Sequence, residues 1–193
     1  NRQKETLDEV SIDLVGGVVT QGELNISVND FWYPFKKPIL RNGANLGDSI
    51  FVTGQLGKAK QGLNDWLNKK DSIYCKDFLR PKPQFQKAKD ISDFATSCID
   101  ISDGLIKDLG DICKQSNVGA ELCYEDIPIL NDHKDLTHGD DYELCFTAPS
   151  HLDDQIKSQG FFLIGKIIQK LGLLVKKDGC EITFEKNGWD PWE

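Results

Sequence analysis

The sequence predicts an α/β fold of the α+β kind, a mixed sheet with helices packed on it. Short β-branched and aromatic runs alternate with longer segments whose apolar residues recur at helical spacing. Clusters of Gly, Pro, Asn and Asp separate these runs, with no internal repeat and no low-complexity tract. Of 193 residues, 39% are hydrophobic and 28% charged, which is enough apolar material for an ordinary core.

Residues 1–40 open polar, reach a strand at Ile12-Asp13-Leu14-Val15, turn at Gly16-Gly17, and alternate through Leu24-Asn25-Ile26-Ser27-Val28 as a half-buried strand does. Two or three strands do not make a stable domain, so this stretch reads as the end of a preceding one, with Tyr33 to Pro38 as connector. From residue 41 a second domain begins, running to residue 193. Turns over 41–48 lead into a strand at 49–53. A helix over 59–69 carries Leu63, Trp66 and Leu67 on one face. Arg80-Pro81-Lys82-Pro83 leads stiffly into a helix through Phe85, Ala88 and Ile91, with Pro83 suited to its first turn. A strand at 95–99 precedes a helix in which Leu105, Ile106, Leu109, Ile112 and Cys113 share a face, stopped by Asn117-Val118-Gly119. Strands follow at 121–124, 143–147 and 161–168, with a loop over 127–137 and a short helix over 151–159. Two last strands, 171–177 and 181–184, flank the turn Asp178-Gly179.

A formal charge of −8 and an isoelectric point near 4.9 argue against nucleic acid, whose phosphates need clustered Lys and Arg. A polyanionic small ligand is compatible if metal ions bridge it to acidic side chains. The six cysteines form no CxxC pair and no Cys/His metal spacing, and most lie in apolar runs. Small buried thiols in a reducing cytosol are expected, hence a cytoplasmic protein. No apolar stretch is long enough to span a bilayer and no signal-peptide pattern is present, so no membrane partner is expected. The chain starts at Asn1 and contains no methionine, which reads as a piece of a longer or processed protein.

The segment from Cys98 to Leu105 carries the most chemistry. Asp100, Ser102 and Asp103 stand where a strand becomes a helix, and helix N-termini favour phosphate oxygens. Two carboxylates there repel a bare phosphate, but Mg²⁺ between them makes sense, since it takes one or two carboxylates plus phosphate oxygens and water. The plainer alternative is that Ser102 or Asp103 only caps the helix, as these residue types usually do. Gly16-Gly17 could approach a phosphate or simply turn the chain. In His138-Gly139-Asp140-Asp141-Tyr142-Glu143 the adjacent acids suit a solvated loop, although Gly139 permits an unusual turn. His133, His138 and His151 lack zinc spacing. Neither a GxSxG elbow nor a Walker A lysine is present. In the tail, Trp189 and Trp192 either pin the chain to the domain or stack on a flat ligand.

Together these segments resemble the bacterial thiamine-monophosphate kinase family, within the superfamily of aminoimidazole ribonucleotide synthetase and selenophosphate synthetase. The matching runs come in family order: Leu14 to Gly17 with Thr20 and Gly22, Arg41-Asn42-Gly43-Ala44 with Gly47-Asp48, Val52-Thr53-Gly54 and Arg80 to Pro83. They continue with Ile99 to Leu105, Gly139-Asp140-Asp141-Tyr142-Glu143-Leu144, Ile164-Gly165 and Gly188-Trp189. The resemblance implies the C-terminal domain of the aminoimidazole ribonucleotide synthetase-like fold from residue 41, after the end of an N-terminal, dimer-forming domain. It also implies ATP-dependent phosphorylation of thiamine monophosphate to thiamine diphosphate with Mg²⁺, in a homodimer. Family members are longer, and their acidic N-terminal segment has no counterpart here, so this chain is expected to be a C-terminal fragment with little activity alone.

By position, Asp100 and Asp103 are implied Mg²⁺ ligands, and Gly17, Arg41 and Ser102 ATP contacts. Asp140 stands where the family has a substrate-binding glutamate, and Trp189 at an aromatic position that stacks on thiamine. Val18-Val19 departs from the family's Gly-Gly-Asp-Thr-Thr, since Val18 cannot ligate a metal, and Gln21 replaces a common basic residue. The nucleophile is a phosphate monoester, already anionic with a second pKa of about 6, so no catalytic His, Lys or Ser is required. A non-catalytic module binding a phosphorylated ligand or a partner chain is the competing reading, followed by another ATP-using superfamily member.

Overall fold

In the computed structural model, which describes residues 37–190, seven strands hydrogen-bond into one sheet. They are β1 (Ser49–Val52), β2 (Ser97–Asp100), β3 (Gly119–Cys123), β4 (Leu144–Ala148), β5 (Phe162–Ile168), β6 (Gly172–Lys177) and β7 (Cys180–Ile182). Their spatial order is β2-β4-β1-β5-β3-β6-β7. β3 and β6 run parallel and the other neighbours antiparallel, so the sheet is mixed, as expected. Gly17, Val18, the two strands expected before residue 30 and Trp192 lie outside the described residues.

Among the described residues five α-helices accompany the sheet: α1 (Lys58–Leu67), α2 (Tyr74–Leu79), α3 (Phe85–Ile91), α4 (Leu105–Ser116) and α5 (Asp153–Ser158). β1 lies between β4 and β5 with all four residues buried, which is why it reads as a continuous apolar run rather than an alternating one. Its side chains still part to opposite faces. Ile50 and Val52 join the core under α4, with Leu105, Leu109 and Ile112. Phe51 joins a smaller core on the other face, with Ile91 of α3 and Ile156 of α5. α4 ends where the sequence says it should: Asn117 is left-handed at φ 55°, and its N–H reaches the carbonyls of Cys113 and Lys114.

The face of α1 that carries Leu63, Trp66 and Leu67 is not the one that packs: Trp66 and Leu67 are 52% and 63% exposed, and the buried positions are Ala59, Gly62 and Asp65. α1 packs through its smallest side chains because α2 comes close: a Cβ on Gly62 would strike the Tyr74 carbonyl oxygen. α2 itself was not foreseen, since six residues are too short to display a helical period. The cysteines are also less uniformly buried than expected. Cys113 and Cys145 are buried, Cys75, Cys98 and Cys123 partly so, and Cys180 exposed, all as free thiols. Burial pushes the Cys98 thiol up to about 12 and that of Cys113 to about 11, which keeps both unreactive. Among the described residues no helix is long and apolar enough to cross a membrane.

Phe146 is the centre of the smaller core. It is fully buried, stacked on Phe51 at 5.3 Å and edge-on to Phe161 at 5.6 Å. Phe146→Ala is expected to cost about 3–5 kcal/mol of unfolding free energy in denaturant titration; a loss below about 1 kcal/mol would mean that this core is not packed as described.

Candidate active site

β2 and β4 keep pairing beyond their own ends, and this builds the site. The Ile101 N–H donates to the Glu143 carbonyl at 2.7 Å, the Tyr142 N–H to the Ile101 carbonyl at 2.9 Å, and the Asp140 N–H to the Ser102 carbonyl at 2.9 Å. The turn Ile101–Gly104 and the segment Gly139–Glu143 thus lie side by side at the strand ends. Gly139 makes this possible, since a Cβ there would strike the Ser102 carbonyl oxygen. The unusual backbone expected at Gly139 lies instead at Asp140 (φ 68°) and Tyr142 (φ 48°), and a bulky residue rarely adopts that region.

The helix-capping alternative for Ser102 and Asp103 is not what the structure contains. The N-cap of α4 is Gly104, at φ 118°, with no side-chain cap. The first loop amides are taken by a residue further along. One oxygen of Asp108, Oδ2, accepts the N–H groups of Ser102, Asp103 and Gly104 at 3.0, 3.0 and 3.1 Å. These three amides are therefore not open to phosphate, which corrects the picture of a bare helix N-terminus. Asp108 is 3% exposed. Burial pushes its carboxyl up to about 6, although the three amide donors pull the other way.

Asp100, Ser102 and Asp103 are half-buried, and none of them caps α4. Among the described residues, no hydrogen bond or ion pair engages the Asp100 carboxylate or the Ser102 hydroxyl. Asp103 Oδ2 pairs with Lys107 Nζ at 3.0 Å, which holds the Lys107 ammonium above its ordinary pKa. The Tyr142 hydroxyl is 3.5 Å from Asp140 Oδ1, and burial and then the charges of Asp140, Asp100 and Asp103 raise its pKa. Asp100 also lines a cavity of about 530 Å³ with Leu40, Arg41, Ala88, Cys98 and Leu144, so Arg41 and Asp100 border one space.

The C-terminal segment closes the rim by its backbone rather than its rings. The Trp189 N–H donates to the Asp103 carbonyl at 2.9 Å, and Lys107 Nζ donates to the Trp189 carbonyl at 2.6 Å. The indole itself stays 60% exposed. Asp100, Ser102, Asp103, Asp140 and Trp189 therefore share one rim, with Arg41 on the adjoining cavity. Gly17 lies outside the described residues.

Among the described residues no three His, Cys, Asp or Glu side chains are grouped to hold a metal ion. The carboxylates of Asp100 and Asp103 are of the kind that Mg²⁺ takes one or two of together with phosphate oxygens and water, and that of Asp103 pairs with Lys107 here.

No protein-family model matches the chain. Curated relatives do. The thiamine-monophosphate kinase of Escherichia coli (strain K12) is 34% identical over 96% of this chain. That of Haemophilus influenzae is 35% identical over 86%. The chain is a homologue of the thiamine-monophosphate kinases. It spans 65% of the length of the Escherichia coli relative and 58% of the Haemophilus influenzae one. Among solved structures, the thiamine-monophosphate kinase from Stenotrophomonas maltophilia K279a matches with a TM-score of 0.63 and 33% identity, over 73% of this chain and 53% of that one. A structure described as AaThiL complexed with AMPPCP and TMP matches with a TM-score of 0.67 and 31% identity, over 78% of this chain and 53% of that one. Escherichia coli HypE, at 16% identity and a TM-score of 0.63 over 82% of this chain and 55% of that one, shares the fold. The fold is the aminoimidazole ribonucleotide synthetase-like one predicted from the sequence.

Sequence reasoning missed Asp108, and underrated two of the three acids after Gly139. A signal for Asp108 existed: an acid interrupting the apolar stripe of Leu105, Leu109 and Ile112 has to find partners inside. Asp141 is half-buried and bonded: its two oxygens accept the Gly57 and Ala59 N–H groups at 2.7 and 3.1 Å and so cap α1. Burial raises the Asp141 pKa against those bonds. Glu143 is buried, accepting from Thr53 Oγ1 at 2.6 Å and Lys87 Nζ at 2.7 Å. Only Asp140 stays on the rim.

The close approach at Gly139 can be tested against a neutral glycine. Gly110 lies within α4 with nothing within 4 Å of an added Cβ. Gly110→Ala is expected to leave stability unchanged or raise it by about 0.5–1 kcal/mol. Gly139→Ala is expected to lower the melting temperature and speed hydrogen exchange at the Asp140 and Tyr142 amides. Equal behaviour of the two variants would contradict the paired loops.

Proposed function

We propose that the whole protein transfers the γ-phosphoryl group of ATP to thiamine monophosphate, giving thiamine diphosphate and ADP. The observation that carries this is the pairing of 34% identity to a thiamine-monophosphate kinase over nearly the whole chain with a rim on which Asp100, Ser102, Asp103, Asp140 and Trp189 come together. The neighbour complexed with AMPPCP, an ATP analogue, and TMP supports the same pair of ligands.

In this reading Asp100 and Asp103 hold Mg²⁺, and Ser102, Arg41 and Gly17 hold ATP. When bound, the metal supplies neutralisation of phosphate charge. Asp140 orients thiamine monophosphate, and the exposed Trp189 indole offers a flat apolar face to its rings. The attacking oxygen belongs to a phosphate monoester and needs no base, because its second pKa is about 6. It bonds to the γ-phosphorus of ATP in line as the bond to the β–γ bridging oxygen breaks, and ADP leaves with that electron pair. The protein's contribution is position and charge balance. Residues 1–40 would belong to a dimer-forming domain of a cytoplasmic homodimer and residues 41–193 to the C-terminal domain, and the 193-residue chain alone would turn over little. Val18 favours one other reading, a diverged module that binds a phosphorylated ligand without catalysis.

Thiamine diphosphate formation by the whole protein decides between the two. Asp100→Asn and Asp103→Asn are expected to abolish nearly all turnover while shifting the melting temperature little, since neither carboxylate caps α4. Full activity in both variants would remove the metal role, and no product from the unmodified protein would favour the binding module.

A further inference from the structure

Three consecutive amides pointing at one acceptor form a concavity of the kind that proteins use to hold anions. Here the anion is internal. Ser102, Asp103 and Gly104 present their N–H groups to Asp108 Oδ2 at 3.0–3.1 Å, from a carboxylate on the first turn of α4. A buried carboxylate is costly unless it is fully bonded, and a helix entry is ordinarily satisfied more simply by a Ser, Thr or Asp at the N-cap. The sequence places Ser102 and Asp103 beside the cap and uses neither.

Handing the capping duty to Asp108 changes what the neighbouring side chains can do. The Ser102 hydroxyl and the Asp100 carboxylate carry no hydrogen bond to another described residue, and Asp103 keeps only an ion pair with Lys107. The same turn sets its surroundings. The Ser102 carbonyl receives the Asp140 amide and the Asp103 carbonyl the Trp189 amide, so its curvature fixes where both elements sit. A Cβ on Gly104 would come within 2.9 Å of the Thr137 carbonyl carbon, so this turn has little room for another path.

We propose that Asp108 is a positioning residue of the active site: its carboxylate fills the amide concavity of residues 102–104 and thereby fixes the turn that carries Ser102 and Asp103, next to Asp100, for the nucleotide and its metal. This rests on the kinase reading given above. The role goes beyond packing because the carboxylate acts through the turn it fixes, not through its own contact with a ligand.

The test uses the whole protein with Asp108→Ala and the near-isosteric Asp108→Asn. Three properties are measured: melting temperature, affinity for AMPPCP with Mg²⁺ by calorimetry, and hydrogen exchange of the Ser102, Asp103 and Gly104 amides. Turnover is followed with and without formate, a free carboxylate small enough to enter the vacated concavity. The expected result for Asp108→Ala is a folded protein whose turnover and nucleotide affinity fall about 10- to 100-fold, the usual loss when a partner behind a ligand is removed. The three amides should exchange faster, and formate should slow them again and restore part of the turnover, without effect on the unmodified protein. Asp108→Asn should fall between the two, since it keeps an acceptor but loses the charge.

Unchanged nucleotide affinity and turnover in a folded Asp108→Ala protein would overturn the proposal. So would losses in both variants that follow unfolding alone and do not respond to formate. If the unmodified protein makes no thiamine diphosphate, the kinase reading fails. The exchange and formate results then still decide whether Asp108 holds the turn.

Discussion

The site depends on one constraint, the lateral hydrogen bonding of residues 101–104 to residues 139–143 after β2 and β4 have ended. Three main-chain bonds hold the two segments together, and Gly139 gives the clearance they need. Backbone bonds suit this task because they specify position without using side chains. The Ser102 hydroxyl of the first segment is left without a hydrogen bond to another described residue, and the Asp103 carboxylate keeps its ion pair with Lys107. The second segment sends its own acids in three directions. Asp140 goes to the rim, Asp141 to the amides of α1, and Glu143 inward to Thr53 and Lys87. One short run of sequence thus ties a helix, a core position and a binding edge to one another.

Both segments rest on a sheet held from two sides. Leu105, Leu109 and Ile112 anchor α4 to one face, and Phe51, Phe146 and Phe161 fill the other. Each apolar cluster lies next to a strand that leads into the site. Burying the two faces fixes β2 and β4 in register, and the register aligns Asp100 with Leu144 at the exit. A slip of one residue would turn Asp100 into the core and Ile99 out to solvent. Core packing and the place of Asp100 are in that sense set by the same alternation.

Much of this was legible in the residues. The strand–turn–helix at 97–116 follows from a buried run, a Gly and an apolar stripe, and Asn117 marks its end. The motifs also single out Asp100, Ser102, Asp103, Asp140 and Trp189, which the structure brings to neighbouring places. Less legible was whatever depends on a partner far away in sequence. Asp141 and Glu143 look like a solvated acidic loop until Gly57, Ala59, Thr53 and Lys87 are seen around them. Asp108 looks like an interruption of an apolar face until the amides behind it are counted. The exposed Trp66 and Leu67 are the opposite case, because helical spacing cannot tell a face that packs from one that does not when the contact runs through Gly62.

The most direct measurement is a crystal structure of the whole protein with Mg²⁺, AMPPCP and thiamine monophosphate. The account predicts carboxylate oxygens of Asp100 and Asp103 about 2.0–2.1 Å from magnesium, as its octahedral sites require. Asp108 should still receive the amides of Ser102, Asp103 and Gly104, with Asp140 and Trp189 against the thiamine end. Phosphate oxygens seated on those three amides with Asp108 turned away, or a nucleotide bound elsewhere, would contradict it.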